Sequence, residues 1–169
     1  MEYNLGLLPN LFGFLSLILY LLTLVPGIIR TILTKYRTKK WNIFLLKKRR
    51  EIGVSAFILA LIHGVLIGVT RNLNFFDPAV IIKYIQGVLS FGIFTILAVT
   101  SNDYSVHKLK RNWKKIHSLT YLVIYILIWH VLDKMWGKWS VFTYISLLLL
   151  FLIVPFMLYR LFFQKKSRR

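Results

Sequence analysis

The sequence predicts an all-α integral membrane protein, a five-helix transmembrane bundle in a single domain that covers residues 1–169. The composition is the first indication, because 57% of the residues are hydrophobic and the mean hydropathy is +0.66, whereas soluble domains are usually closer to half apolar. The second indication is that apolar residues form uncharged runs of about 18 residues, which is the length that crosses a bilayer. The third is that no run shows the strict polar–apolar alternation of a half-buried strand.

Five apolar windows give the predicted spans in chain order. They are Leu11–Ile29, Ile52–Thr70, Tyr84–Asn102, Ile116–Leu132 and Trp139–Tyr159. Each is expected to be helical, because lipid offers no hydrogen-bond partners to the backbone. The start, MEYNLGLLPN, lacks a basic region, so we expect the first helix to be retained and not cleaved as a signal peptide. The apolar block Trp41–Leu46 is too short to span, and two interpretations are open: an interfacial segment or an ordinary loop.

Basic residues are concentrated in every second connection between the spans, and this distribution orients the predicted bundle. Residues 30–50 hold nine Lys and Arg, the connection between the third and fourth spans holds five, and the tail from Arg160 holds five. The other connections share four, which are Arg71, Lys83, Lys134 and Lys138. The positive-inside rule then predicts an outside N-terminus and a cytoplasmic C-terminus. Because topology explains the net charge of +18, we expect membrane lipid as a partner and no nucleic acid.

Two histidines, His63 and His130, fall inside apolar windows at matched depth. His63 follows Arg50 by thirteen residues and His130 follows Lys115 by fifteen, so they lie roughly 20 and 22 Å from the same boundary. Two imidazoles facing each other at one level predict bis-histidine ligation of one haem. Zinc is less favoured, since a structural zinc site needs about four ligands. The alternative is that each histidine is a hydrogen-bonded packing residue.

Small residues near His63 favour a bulky planar ligand. Ala56, Ala60, Gly64 and Gly68 lie near this histidine on the second span, and small side chains allow close approach to a helix. Ordinary packing between transmembrane helices is the competing explanation for the same residues.

His117 lies two residues after Lys115 and therefore near the cytoplasmic boundary. It is expected to ligate a second haem, to bind a quinone or flavin headgroup, or only to meet lipid headgroups. Arg49, Arg50, Arg111 and Trp113 are candidate contacts for an inner cofactor or an electron donor. His107 is expected to be a solvated loop residue.

Two segments, KKRREIGVSAFILALIHG and TSNDYSVHKLKRNWKKIHSLTYLVIYILIWH, resemble the ferric-reductase-like transmembrane domain family. Within it they are similar in particular to the haem-binding membrane subunit of the periplasmic methionine sulfoxide reductase system. The resemblance covers roughly residues 11–134. The positions that carry it are Arg49, Arg50, Gly53, His63, Thr100, Ser101, Trp113, His117, Tyr121 and His130. It implies b-type haem and electron transfer across the membrane, with the haem carried by the second and fourth spans.

The predicted function is an electron-transfer subunit of an oxidoreductase system, without a catalytic residue of its own. The sequence has no nucleotide-binding motif, so we expect a separate cytoplasmic donor: a flavin reductase, a reduced flavin, a quinol or an acidic carrier. An external acceptor or reductase is expected to dock around Arg71, Asp133, Lys134 and Trp136.

Two other classes of function stay open, a structural or assembly subunit and a proton or metal transporter. A bacterial inner membrane is the expected location, with the thylakoid membrane as the alternative.

Overall fold

The structure is a computed structural model that describes residues 7–136 and 139–166, without the side chains of Thr34 and residues 163–166. The predicted uncleaved start at residues 1–6, the basic Lys138 and the last residues of the basic tail lie outside the described residues.

Every regular element in the described ranges is helical, which confirms the all-α prediction. In chain order the helices are α1 (Leu7–Ile32), α2 (Lys40–Thr70), α3 (Pro78–Lys83), α4 (Ile85–Val99), α5 (Asp103–Leu109), α6 (Arg111–His117), α7 (Thr120–Met135) and α8 (Val141–Lys166). A short 3₁₀ turn, Thr34–Tyr36, connects α1 to α2.

Four to five membrane spans are compatible with these helices. The helices α1, α2 and α8, together with the stretch Arg111–Met135 that contains α6 and α7, are long and apolar enough to cross. The helix α4 has only 15 residues, or about 22 Å, and the chain bends by 94° between it and α5. The five predicted spans are therefore the upper end of this range.

The α2 helix begins twelve residues before the predicted window, at Lys40. The block Trp41–Leu46 forms its first turns, so the interpretation as an ordinary loop is wrong, while an interfacial position stays a prediction. No Gly or Pro interrupts the chain between Lys40 and Ile52, and its Leu, Lys and Arg residues favour the helix. The basic cluster is consequently a rigid extension of the span.

The third window ends early because polar side chains hydrogen bond to the nearby backbone. The hydroxyl groups of Thr100 and Ser101 donate to carbonyls of the preceding turn. Asn102 then caps α5 by accepting a hydrogen bond from the Ser105 amide at 2.7 Å. Such local bonds compete with helix continuation. The expected loop around His107 folds instead as the two short helices α5 and α6, although His107 itself is exposed.

The helix α1 contributes more residues to the buried core than any other described helix. It packs against both α2 and α8. Polar groups fix it to its neighbours: the Ser16 hydroxyl donates to the Ala56 carbonyl at 2.8 Å, and the Tyr20 hydroxyl donates to the Thr120 carbonyl at 2.6 Å. In an apolar bundle such side chain–backbone bonds set the position of one helix along another.

Consecutive long helices run in opposite directions, which gives the bundle two distinct ends. The histidine-pair end contains the starts of α1, α4 and α8 and the last turns of α2 and α7; there Pro9 contacts His63. The basic end contains the opposite termini, and there Thr100 contacts His117. The candidate site is built at the histidine-pair end.

Candidate cofactor site

The structure brings His63 of α2 and His130 of α7 together. Their ring centroids are 6.4 Å apart and their planes are nearly perpendicular, at 89°. The rise per residue predicts that the two residues lie at one level, and in the folded bundle their rings are also neighbours. Their ligation of a haem stays a prediction at this point.

His63 is held by the first turns of α1. Its Nδ1 lies 2.6 Å from the Pro9 carbonyl oxygen. A carbonyl only accepts hydrogen bonds, so the proton belongs on Nδ1 and the Nε2 lone pair is left for a ligand. Histidines that bind metals are typically oriented by a backbone carbonyl in this way.

A glycine on a neighbouring helix makes room for each imidazole. A Cβ atom at Gly13 of α1 would lie 2.9 Å from His63 Nδ1, which is too close for any ordinary contact. A Cβ at Gly87 of α4 would lie 3.3 Å from His130 Cε1. The two glycines therefore fix how deeply the rings insert between the helices.

His130 is left short of hydrogen bonds. Its Nδ1 is buried without a partner among the described residues, and so is Gln86 Oε1 on the adjacent helix. The Gln86 amide nitrogen donates to Asp133 Oδ2 at 2.9 Å. An unsatisfied buried polar atom costs about 1–3 kcal/mol. The surroundings of His130 thus lack an interaction that a ligand or an ordered water would supply.

A cavity of about 520 Å³ opens beside both histidines. Six helices, α1, α2, α3, α4, α7 and α8, contribute to its wall, and most of the side chains that line it are apolar. Its volume is within the range of small-molecule and cofactor sites, about 300–1,000 Å³.

Only some of the small residues that were predicted to flank a ligand line this cavity. Ala60 and Gly64 line it. Ala56 is instead buried in the core against α1, and a Cβ at Gly68 would meet the Phe75 ring. The competing explanation by helix packing therefore applies to Ala56.

Polar groups surround the mouth of the cavity. Arg71 donates to the Tyr84 hydroxyl at 3.1 Å, while Lys134 bonds to the Lys83 carbonyl and pairs with Asp133 at 2.5 Å. Trp136, the fourth residue of the predicted acceptor patch, is exposed just after α7. The structure thus brings the patch to the histidine-pair end.

His117 lies in a different environment, at the basic end. Its Nε2 is 3.1 Å from the Thr100 hydroxyl, and its ring stacks on Trp113 with the centroids 4.1 Å apart. Trp113 Nε1 in turn donates to the Thr100 carbonyl at 2.9 Å. This histidine already has a hydrogen bond and a stacking partner, and its role in binding a second cofactor stays a prediction.

Among the other candidates at the basic end, Arg49 and Arg50 lie close enough to His117 for their charges to act on its ring. Arg50 donates to Asp103 at 2.7 Å, and this hydrogen bond holds the pKa of the Asp103 carboxyl below its usual value. Arg49 is partly buried, and Arg111 is exposed on α6.

Pro9, Gly13, Gly87 and Gln86 are the site residues that the sequence did not indicate. They come from α1 and α4, neither of which carries a histidine. A glycine in an apolar helix is a weak sign of close packing, but it does not identify the side chain that it meets.

Comparison with known proteins gives two findings. The family model described as ferric reductase like transmembrane component matches residues 12–128. The protein-methionine-sulfoxide reductase heme-binding subunits MsrQ of Brucella ovis, Brucella canis and Brucella suis are each 36% identical to this chain over 90 residues. That alignment covers 49% of this chain and 40% of each relative, so it spans less than half of the length of these relatives.

Proposed function

This chain belongs to the family of ferric reductase like transmembrane components, and from that premise we propose that it is a haem-binding electron-transfer subunit of a membrane oxidoreductase system. Electrons enter at the basic end from a separate donor and leave at the histidine-pair end to an external acceptor or reductase. The reductase partner is suggested by the relatives, whose name makes them subunits of a methionine sulfoxide reductase.

The separation of His63 and His130 is the observation that carries this proposal. An imidazole nitrogen binds a transition metal at about 2.0 Å, so the ligating nitrogens of two imidazoles that held one iron between them would lie about 4 Å apart. The ring centroids must be farther apart by the radius of each ring, and the observed 6.4 Å fits that requirement. A bound haem would supply one-electron chemistry at its iron.

Other residues of the site orient the two histidines and give their rings room, as ligands of a cofactor require. The Pro9 carbonyl holds the proton of His63 on Nδ1, while Gly13 and Gly87 admit the two rings between the helices. The wall of the cavity is mostly apolar, and burial in such surroundings is one of the means by which a protein tunes a haem potential. Arg71 and Lys134 at the mouth carry the charge that would attract acidic groups of a ligand or of an acceptor.

The positive-inside rule supports the orientation that we propose for the bundle, and the proposed direction of electron transfer depends on that orientation. Seventeen of the twenty Lys and Arg residues in the described ranges lie at the basic end, which favours the cytoplasmic side for that end. The N-terminus is then outside and the C-terminus inside. We place the protein in a bacterial inner membrane, because the relatives are bacterial subunits.

A second electron carrier at His117 would complete the path of the electrons from the basic end to the histidine pair. His117 precedes His130 by thirteen residues on one helical stretch, which corresponds to about 20 Å. Since an electron entering at the basic end must cover this distance, we propose a second haem, a flavin or a quinone beside His117 and Trp113. The Nδ1 of His117 is the ring nitrogen that the Thr100 contact does not use.

Reconstituted vesicles test this function. The purified chain is inserted with its basic end inside, donors of each class are supplied in the lumen, and haem reduction is followed optically. We expect reduction from the lumen and reoxidation by an acceptor added outside. A chain that binds haem but is reduced by none of the internal donors would favour the structural-subunit class instead.

A further inference from the structure

A second unusual group of side chains lies at the basic end, around Arg160 of α8. Its guanidinium inserts against α1, where a Cβ at Gly27 would overlap its Nη1. Its Cζ also lies 5.7 Å from the centre of the Tyr121 ring on α7. The charge of Arg160 is thus held among three helices, α8 itself, α1 and α7.

This guanidinium does not have a full set of hydrogen bonds. Its Nε is buried and lacks a partner among the described residues. Arg49 of α2 is a second, partly buried guanidinium in the same region, and the charges of Arg49 and Arg160 repel each other. Two neighbouring cations in a partly buried place are unfavourable unless an anion compensates them.

No carboxylate in the described ranges supplies that compensation. The chain contains five acidic residues. At the basic end, Glu51 pairs with Lys48 at 2.8 Å and Asp103 pairs with Arg50 at 2.7 Å. Asp77 caps α3 and Asp133 pairs with Lys134, both at the opposite end, while Glu2 lies outside the described residues.

We propose that Arg49 and Arg160 form a binding site for a phosphate group. A guanidinium presents parallel N–H donors that match phosphate oxygens, and such charge-assisted bonds are about twice as strong as neutral ones. The unpartnered Nε of Arg160 is a donor of this kind. The site lies at the end of the bundle, so the phosphate can belong to a lipid headgroup or to a free phosphate compound. This inference goes beyond the electron-transfer function and requires no bound haem.

Thermal unfolding of the full chain with inorganic phosphate tests the site in its simplest form. The protein is purified in a non-ionic detergent, and phosphate is titrated against sodium chloride at matched ionic strength. Parent protein should show a saturable rise in Tm. Arg160→Gln and Arg49→Gln should each weaken the apparent affinity for phosphate about tenfold or more. Arg30→Gln, which removes an exposed arginine of the same end, should respond as the parent does.

A second arm tests the lipid source. The same four proteins are placed in nanodiscs of phosphatidylcholine with or without phosphatidylglycerol, and unfolding is measured again. Stabilisation by phosphatidylglycerol that depends on both Arg49 and Arg160 assigns the site to a headgroup, and a phosphate response alone assigns it to a free compound. If neither probe stabilises the parent, or if both arginine variants respond as strongly as Arg30→Gln, the site does not exist. Should Arg160→Gln fail to fold, Arg49→Gln still decides the outcome.

Discussion

The two ends of the bundle hold their histidines in opposite ways. At the histidine-pair end, two imidazoles lie 6.4 Å apart beside a cavity, and the Nδ1 of His130 lacks a partner among the described residues. At the basic end, His117 stacks on Trp113 and bonds to the Thr100 hydroxyl. His130 thus lacks a hydrogen bond among the described residues, whereas His117 has both a hydrogen bond and a stacking partner. An intramembrane histidine is therefore best judged by the bonds it lacks.

The largest effect is expected from removing either member of the pair. His63→Ala or His130→Ala should abolish the low-spin haem spectrum, because one axial ligand and about half of the protein's hold on the iron are lost. The optical spectrum of each purified variant measures this. His107→Ala, which removes an exposed histidine, is the control and should keep the parent spectrum. Unshifted low-spin bands in both pair variants would show that these histidines are not the ligands.

A smaller effect is expected when a side chain is added at Gly13, the glycine that packs against His63. Gly13→Ala places a Cβ about where His63 Nδ1 now makes its bond to Pro9, and overpacking of this kind typically costs about 1–3 kcal/mol. We expect lower haem occupancy and a lower Tm. Gly92→Ala is the matched control, because a Cβ there would have no neighbour within 4 Å. Equal behaviour of the two variants would contradict the role given to Gly13.

His117→Ala should affect electron transfer at the basic end and leave the haem at the histidine-pair end in place. It removes the stacking on Trp113 and leaves the Thr100 hydroxyl with one bond fewer, at a cost of about 1 kcal/mol. The haem bound by the pair should remain, and only its reduction from the basic end should slow. Stopped-flow reduction of reconstituted protein measures this. Loss of all haem in the variant would mean that His117 is itself a ligand of that haem.

The smallest effect concerns the ion pair of Arg50 and Asp103. The hydrogen bond from Arg50 lowers the folded-state pKa of the Asp103 carboxyl, so its stabilising contribution is complete above the unfolded value, about 3.9, and is lost as the pH falls through the folded value. Both side chains are largely exposed, so the contribution should be small. Asp103→Asn should remove this part of the Tm dependence below about pH 4. An unchanged pH dependence would show that the pair does not contribute.

The sequence was sufficient to predict the helical class, because the length of the apolar runs determines it. It was also sufficient to predict that the two histidines lie at one level, because the rise per residue of a helix determines their depth. It was insufficient wherever side chains bond locally or pack between helices. The end of α4 depends on Thr100, Ser101 and Asn102 bonding to nearby backbone. The contact of Gly13 with His63 joins residues 50 positions apart, and neither residue type identifies the other.

Electron paramagnetic resonance of the oxidised, purified parent protein tests the central claim most directly. Two axial imidazoles with nearly perpendicular planes, as His63 and His130 are oriented, leave the iron d-orbitals close in energy and produce a low-spin signal of high anisotropy. We expect that signal at a stoichiometry of at least one haem per chain, and its loss in His63→Ala and His130→Ala. A high-spin signal alone, or protein from haem-sufficient cells that contains no haem, would contradict a bis-histidine electron carrier.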